Sequence, residues 1–196
     1  ENYEMPAMPP GCADGIPKGM YRVKPSENTQ SKLRAQLLGS GAILNEALKA
    51  QRILDEKYGV AADVWSVTSY KQLYRDGHDT ERWNHLHPAE TPRVPYVTAC
   101  LQDAPGVFVA ASDYVKALPG SISRWVPGRL ASLGTDGFGR SESRAALRDF
   151  FEVDARHITL ATLGALHREC KVQIEVVQRA MRDLEINPEK VNPVLA

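Results

Sequence analysis

The chain has 196 residues, 43% hydrophobic and 24% charged, with 24 Lys and Arg matched by 24 Asp and Glu. That is an ordinary globular composition, long enough to bury a real core in one large or two small domains. Zero net charge argues against the clustered basic surface of a nucleic-acid binder and gives no attraction to anionic membranes, and no apolar run approaches the length of a membrane span.

Residues 1–31 hold five of the 13 prolines: Pro6, Pro9, Pro10, Pro17 and Pro25. Proline removes a backbone donor and fixes φ, so this density predicts an extended arm and not a helix or central strand. Tyr3, Met5, Met8, Ile16, Met20 and Tyr21 give the arm apolar anchors. The first residues are acidic and proline-rich, unlike a signal peptide, and the absence of an initiator Met predicts a processed or excised chain. Cys12, Cys100 and Cys170 are odd in number and far apart, which predicts reduced thiols in a cytoplasm.

The domain proper, residues 32–196, is expected to open with a strand at 33–38. Gly39-Ser40-Gly41 then leads into a helix from Ala42 to Tyr58, with Leu44, Ala47, Leu48, Ile53 and Leu54 on one stripe and Gly59 as its stop. Val60 to Val67 reads as a second strand. Ser69 and Gln72 form a capping box for a short helix expected to end at Gly77. Residues 76–95 are polar, carry His78, His85 and His87, end in two prolines, and read as a long loop. A helix at 95–101, an apolar strand at 107–111, a helix capped by Ser112-Asp113 through Leu118, and a strand at 129–133 follow. Strands alternating with helices predict right-handed crossovers and a mainly parallel sheet covered on both faces.

Leu133 to Ser141 (LGTDGFGRS) is the densest glycine turn of the chain. Gly134, Gly137 and Gly139 permit positive φ or close backbone approach. Phe138, flanked by glycines, is a large ring that must bury in this domain or in a partner, and Asp136 and Arg140 place opposite charges beside it. Two readings stand: a tight strand-to-helix connection, or an interface or site loop. A helix over 141–151 with Glu142 in its first turn, a helix capped by Asp154 through Arg168, a helix over 171–184 and a tail complete the chain.

The chemical motifs are sparse. Gly39-Ser40-Gly41 lacks the third glycine of a dinucleotide fingerprint, since Leu44 stands there, and no P-loop occurs. His78, His85 and His87 match no metal-ligand signature; Asp76, Asp79 and Glu81 either orient these imidazoles or pair with Arg75, Arg82 and Arg93, and the favoured reading is a polar loop at the carboxyl edge of the sheet or at a domain interface, with Trp83 as a packing anchor. No G-x-S-x-G elbow is present.

Several segments in fixed order nevertheless resemble one family. They are Asn2-Tyr3 with Met5 to Pro9, Leu37 to Gly41, Arg75-Asp76-Gly77, Glu81 to Asn84, Leu86-His87-Pro88, Glu90 to Tyr96, Leu133 to Ser141 and Val191 to Ala196. Together they resemble the C-terminal part of the homodimeric bacterial pyruvate dehydrogenases, the thiamine-diphosphate-dependent decarboxylating components of the pyruvate dehydrogenase complex. The ending resembles the family's own C-terminus. The resemblance implies a three-layer α/β fold, a mostly parallel sheet flanked by helices with one antiparallel edge strand, as in transketolase C-terminal domains. Residues 1–31 would then be the exit from an upstream pyrimidine-binding domain.

It also implies a parent enzyme that turns pyruvate into an enzyme-bound hydroxyethyl adduct, releases CO2 and reductively acetylates a lipoyl group, using thiamine diphosphate and magnesium held by upstream domains. The family's G-D-G signature with its paired asparagines is absent, and Asp136-Gly137 is not that motif. No catalytic, cofactor-binding or metal residue is therefore carried onto this chain. Its implied role is structural, with Asp136, Phe138, Arg140 and Trp83 as interface candidates. The implied partners are the upstream domains and a homodimer mate, and the alternative role is a module docking the acetyltransferase core. No nucleic acid and no membrane are expected, in a cytoplasmic setting.

Overall fold

The computed structural model describes residues 4–196, so the Asn2-Tyr3 pair and the Tyr3 anchor lie outside the described residues. The apolar runs become the strands of one mixed sheet: β1 (Met20–Lys24), β2 (Arg34–Gly39), β3 (Ala61–Val67), β4 (Val107–Ala111) and β5 (Leu130–Leu133), in spatial order β1-β3-β2-β4-β5. β2, β3, β4 and β5 pair in parallel, and β1 lies antiparallel on the outer edge of β3. Every residue of β3 and β4 is buried, as expected for parallel strands covered on both faces.

Side-chain alternation divides the core. Leu37, Val64 and Val109 face one layer, which contains α2 (Leu44–Tyr58), α7 (Ala155–Arg168) and α8 (Ile174–Asp183). Leu38, Trp65 and Phe108 face the other, built on α3 (Tyr70–Leu86) and α4 (Tyr96–Leu101). Each fully buried large aliphatic side chain contributes about 1.5–3 kcal/mol. The three-layer α/β expectation, with its antiparallel edge strand, holds.

Several local expectations change. β1 and the short α1 (Gly15–Lys18) lie within residues 1–31, so part of the expected arm belongs to the sheet. The prolines flank this strand at positions 17 and 25, and as an edge strand it needs donors on one side only. A 3-10 turn at Gly41–Ile43 precedes α2, and Gly59 closes that helix at φ 63°. Ser69 caps α3 by accepting from the Gln72 N–H at 3.1 Å, but α3 runs past Gly77 to Leu86. Only residues 87–95 form the strap that the sequence places at 76–95.

Gly77 is packed against a ring. A Cβ there would lie 2.5 Å from the Trp125 indole. Trp125 donates its ring N–H to Glu81 Oε1 at 2.9 Å, one turn further along α3, and accepts from the Thr98 hydroxyl of α4 at 2.6 Å. The glycine therefore serves a tertiary contact that outweighs its low helix propensity.

The helix expected from Ser112 to Leu118 shrinks to α5 (Ala117–Gly120), because the Ser112 hydroxyl accepts from the Tyr114 N–H at 3.1 Å and holds a bend. The last three helices also start later than expected or where a side-chain cap sits. α6 spans Arg144–Phe150 with Ser143 as its cap, leaving Glu142 outside the helix. Asp154 caps α7 as expected. α8 begins at Ile174 and not at Lys171. Among the described residues no helix is long and apolar enough to cross a membrane.

Candidate functional site

The loops that leave the carboxyl ends of β2, β4 and β5 meet at one edge of the sheet. Ser40 donates its N–H to Ala111 O at 3.3 Å and its hydroxyl to Ser112 Oγ at 2.8 Å. Ser112 donates its N–H to Leu133 O at 3.1 Å. Three strand ends are thus laced together. Gly39 serves packing here, since a Cβ would come within 2.8 Å of Leu44 Cα.

The Leu133–Ser141 stretch continues this edge. Thr135 donates its N–H to Tyr114 O at 2.9 Å and its hydroxyl to Asp113 O. Asp136 Oδ1 accepts from the Lys116 N–H at 2.8 Å. Gly137 takes φ 95° and presses on the C-terminal segment, where a Cβ would lie 2.4 Å from Pro193 O. Asp136 therefore fixes the turn through a backbone amide and makes no ion pair with Arg140 among the described residues. Arg140 instead lies over the Phe150 ring, 4.3 Å from its centroid. Phe138 is 83% exposed and so does not bury among the described residues. Tyr114, Val115, Val194 and Leu195 are exposed as well, on the segments that Gly134 and Gly137 touch.

Beside this loop lies a cavity of about 280 Å³. Its far wall is α6, whose Arg148 donates to Glu46 Oε1 at 3.1 Å. Glu46 is 4% exposed, also accepts from Lys49 at 2.8 Å, and takes the Ala155 N–H at 3.1 Å. This carboxylate joins α2, α6 and the start of α7. Sequence reasoning missed it, because one acidic residue beside an apolar stripe looks like any solvated position.

Trp83, the fourth interface candidate, sits on α3, remote in sequence from the glycine loop. Its ring stacks on His87 at 4.5 Å and 10°, with the Arg93 guanidinium 3.8 Å from the ring centroid. Asn84 donates to Arg93 O at 2.9 Å and accepts the Arg93 N–H at 2.8 Å, closing the strap. His78 packs edge-on against Tyr74 and Trp125, at 4.4 and 5.1 Å, with the Glu81 carboxylate 4.0 Å away. His85 is exposed. The three histidines are not brought together.

Asp149, Asp154 and His157 do approach one another closely enough to share an ion. Arg156 already occupies that role, with its guanidinium on Asp149 and 2.8 Å from Asp154 Oδ2. Burial pushes the Asp154 carboxyl up, but hydrogen bonds from the His157 ring and backbone and from Arg156 outweigh it and hold it at about 2. Burial pushes the Cys100 thiol up, away from a reactive thiolate. In the Asp136-Gly137 pair, the carboxylate accepts from the Lys116 N–H and the glycine packs against Pro193.

Comparison with known proteins matches this architecture. Residues 19–154 match the family model of the transketolase-like TK C-terminal domain. The chain is 49% identical over 197 aligned positions to the pyruvate dehydrogenase E1 component of Escherichia coli K12, which covers all of this chain and 22% of that protein. Identity to the Pseudomonas aeruginosa counterpart is 46% over 195 positions, covering 99% of the chain and again 22% of the relative. The chain thus spans about a fifth of the length of the curated relatives it matches. A transketolase from Leishmania mexicana shares the fold with a TM-score of 0.52 at 20% identity, over 79% of this chain and 19% of that one. With three layers, four parallel strands and an antiparallel edge strand in place, the chain belongs to the transketolase-like TK C-terminal domain family.

Proposed function

We propose that this chain is the C-terminal domain of a decarboxylating pyruvate dehydrogenase component, and that its own work is structural. The observation that carries the reading is the full-length match, at 49% identity, to 22% of the Escherichia coli E1 component. In the complete enzyme, thiamine diphosphate and magnesium supply the decarboxylation chemistry from domains outside this chain, in a cytoplasmic complex. Residues before β1 are the exit from the preceding domain, and the sheet with its helices is the unit they lead into.

The role of this chain is to present the Phe138 face. Phe138, Tyr114, Val115, Val194 and Leu195 are exposed apolar residues on segments that Gly134 and Gly137 bring against the loop, and grouped exposed apolar surface marks an interaction site. Its occupants are the upstream domains and the second subunit, with Asp136 shaping the turn that carries the ring. Trp83 is a second contact point, its half-buried side chain on α3 packed against His87 and Arg93 of the strap.

The test is an activity comparison. The 196-residue chain with pyruvate, thiamine diphosphate and magnesium is expected to release no CO2, whereas the complete protein turns over. Turnover by the short chain alone overturns the reading. The same exposed face also suits docking on the acetyltransferase core. Retention of this chain on immobilised core protein, abolished by Phe138→Ala, would assign the face to that partner.

A further inference from the structure

The cavity beside the glycine loop stands at the position where an open α/β sheet changes direction. β2 is central, β3 follows it on one side, and β4 is added on the other. The connections after β2 and β4 therefore leave the sheet in opposite directions, and the crevice between such connections is where α/β sheets hold ligands. Ala42 and Ile43 line the cavity from the β2 side, Asp113 from β4 and Thr135 from β5.

The chemistry of the walls is specific. The floor is apolar, with Ile43 and the Phe151 ring, both buried. Arg140, Arg144 and Arg148 also line it. Arg144 and Arg148 are one helical turn apart on α6, so they share a face. Glu46 answers the charge of Arg148 from behind. Arg140 makes no ion pair among the described residues and is steadied by its seat over Phe150. Guanidinium groups beside an apolar floor match the two halves of a small organic anion, a carboxylate or phosphate on an apolar body. Asp113, also in the lining, disfavours a second anionic end beside it and can accept from a ligand hydroxyl or N–H.

We infer that this crevice is a binding site for a small organic anion with an apolar body, the anionic group meeting Arg140 and the body lying on Ile43 and Phe151. The site is independent of the interface reading. Phe138 is exposed and is not among the residues lining the cavity, whereas Gly137, Gly139 and Arg140 line it.

Calorimetric titration of the intact protein with phenyl phosphate, benzoate and the uncharged benzamide tests it. One saturable site is expected for at least one of the two anions and none for benzamide, and the preferred anion distinguishes phosphate from carboxylate recognition. Arg140→Gln is expected to weaken binding about tenfold, whereas Arg129→Gln, before the amino end of β5, leaves it unchanged. Gly139→Leu, at a position where a Cβ meets nothing within 4 Å, is expected to obstruct the cavity without unfolding the protein. Thermal melts of each variant establish that the fold is intact. Absence of saturable binding by both anions overturns the inference. So does equal binding of benzamide, or full affinity in folded Arg140→Gln and Gly139→Leu proteins.

Discussion

The strap at residues 87–95 and the glycine loop at 134–143 look alike as sequences, each polar, rich in Gly or Pro and carrying or flanking one large aromatic ring. The molecule treats the rings in opposite ways. Trp83 is clamped between His87 and Arg93, and the strap is tied by two hydrogen bonds through Asn84. Phe138 stands out from a loop whose backbone is pinned by Asp136, Thr135 and Gly137. A ring that finds cation and imidazole partners within reach satisfies itself locally. A ring raised between two glycines stays 83% exposed among the described residues, and its burial there would need a partner surface.

The sharpest way to break this contrast is in the packed region. Gly77→Ala drives a methyl group into the Trp125 ring and is expected to cost about 3 kcal/mol, read as a drop in thermal midpoint. Gly139→Ala, on the open loop, is expected to change stability by less than about 0.5 kcal/mol. Next in size, Asp154→Ala removes the α7 cap behind the loop and is expected to cost about 1–2 kcal/mol. Its carboxyl is held at about 2 in the folded protein, against about 3.9 in an unfolded chain. The folded pKa is depressed, so its stabilisation is complete above about pH 4 and fades as pH falls towards 2. Acid titration of the Asp154→Ala protein should show a shallower loss over that window.

Asn84→Ala makes the strap resemble the loop. It is expected to cost about 1 kcal/mol and to speed proteolytic cleavage within residues 87–95. Phe138→Ala is the smallest perturbation of folding, within about 0.5 kcal/mol, because the ring touches so little of its own chain. On the proposed interface role, its expected effect is on association, a loss of self-association by the longer protein seen by sedimentation. A domain that melts instead would make Phe138 a core residue and erase the contrast.

The sheet was legible because its signals are local. Val107 to Ala111 is a continuous apolar run, Ser69 and Asp154 are side-chain caps, and Gly59 closes a helix with positive φ, each recognisable within one turn of chain. What escaped depends on partners distant in sequence. Gly77 reads as a stop until Trp125 is laid against it. β1 reads as an arm because prolines bracket it, and only β3 makes it a strand. Glu46 acquires meaning from Arg148 and Ala155, contributed by later helices. At the candidate site, the glycines of 134–139 announced a special backbone, but the cavity beside it needed α6 folded across three strand ends.

The placement of β1 has a consequence for solubility. β3 is seven residues of buried side chains, and its outward ladder of N–H and C=O groups is covered by β1 alone among the strands. Uncovered, such a strand is a template for intermolecular β-pairing, and the bulge in the β1–β3 register adds twist at that margin. The opposite edge, β5, is only four residues long and half-buried, which limits how far a foreign strand could extend along it. The segment from Met20 to Lys24 thus acts as a gatekeeper against aggregation.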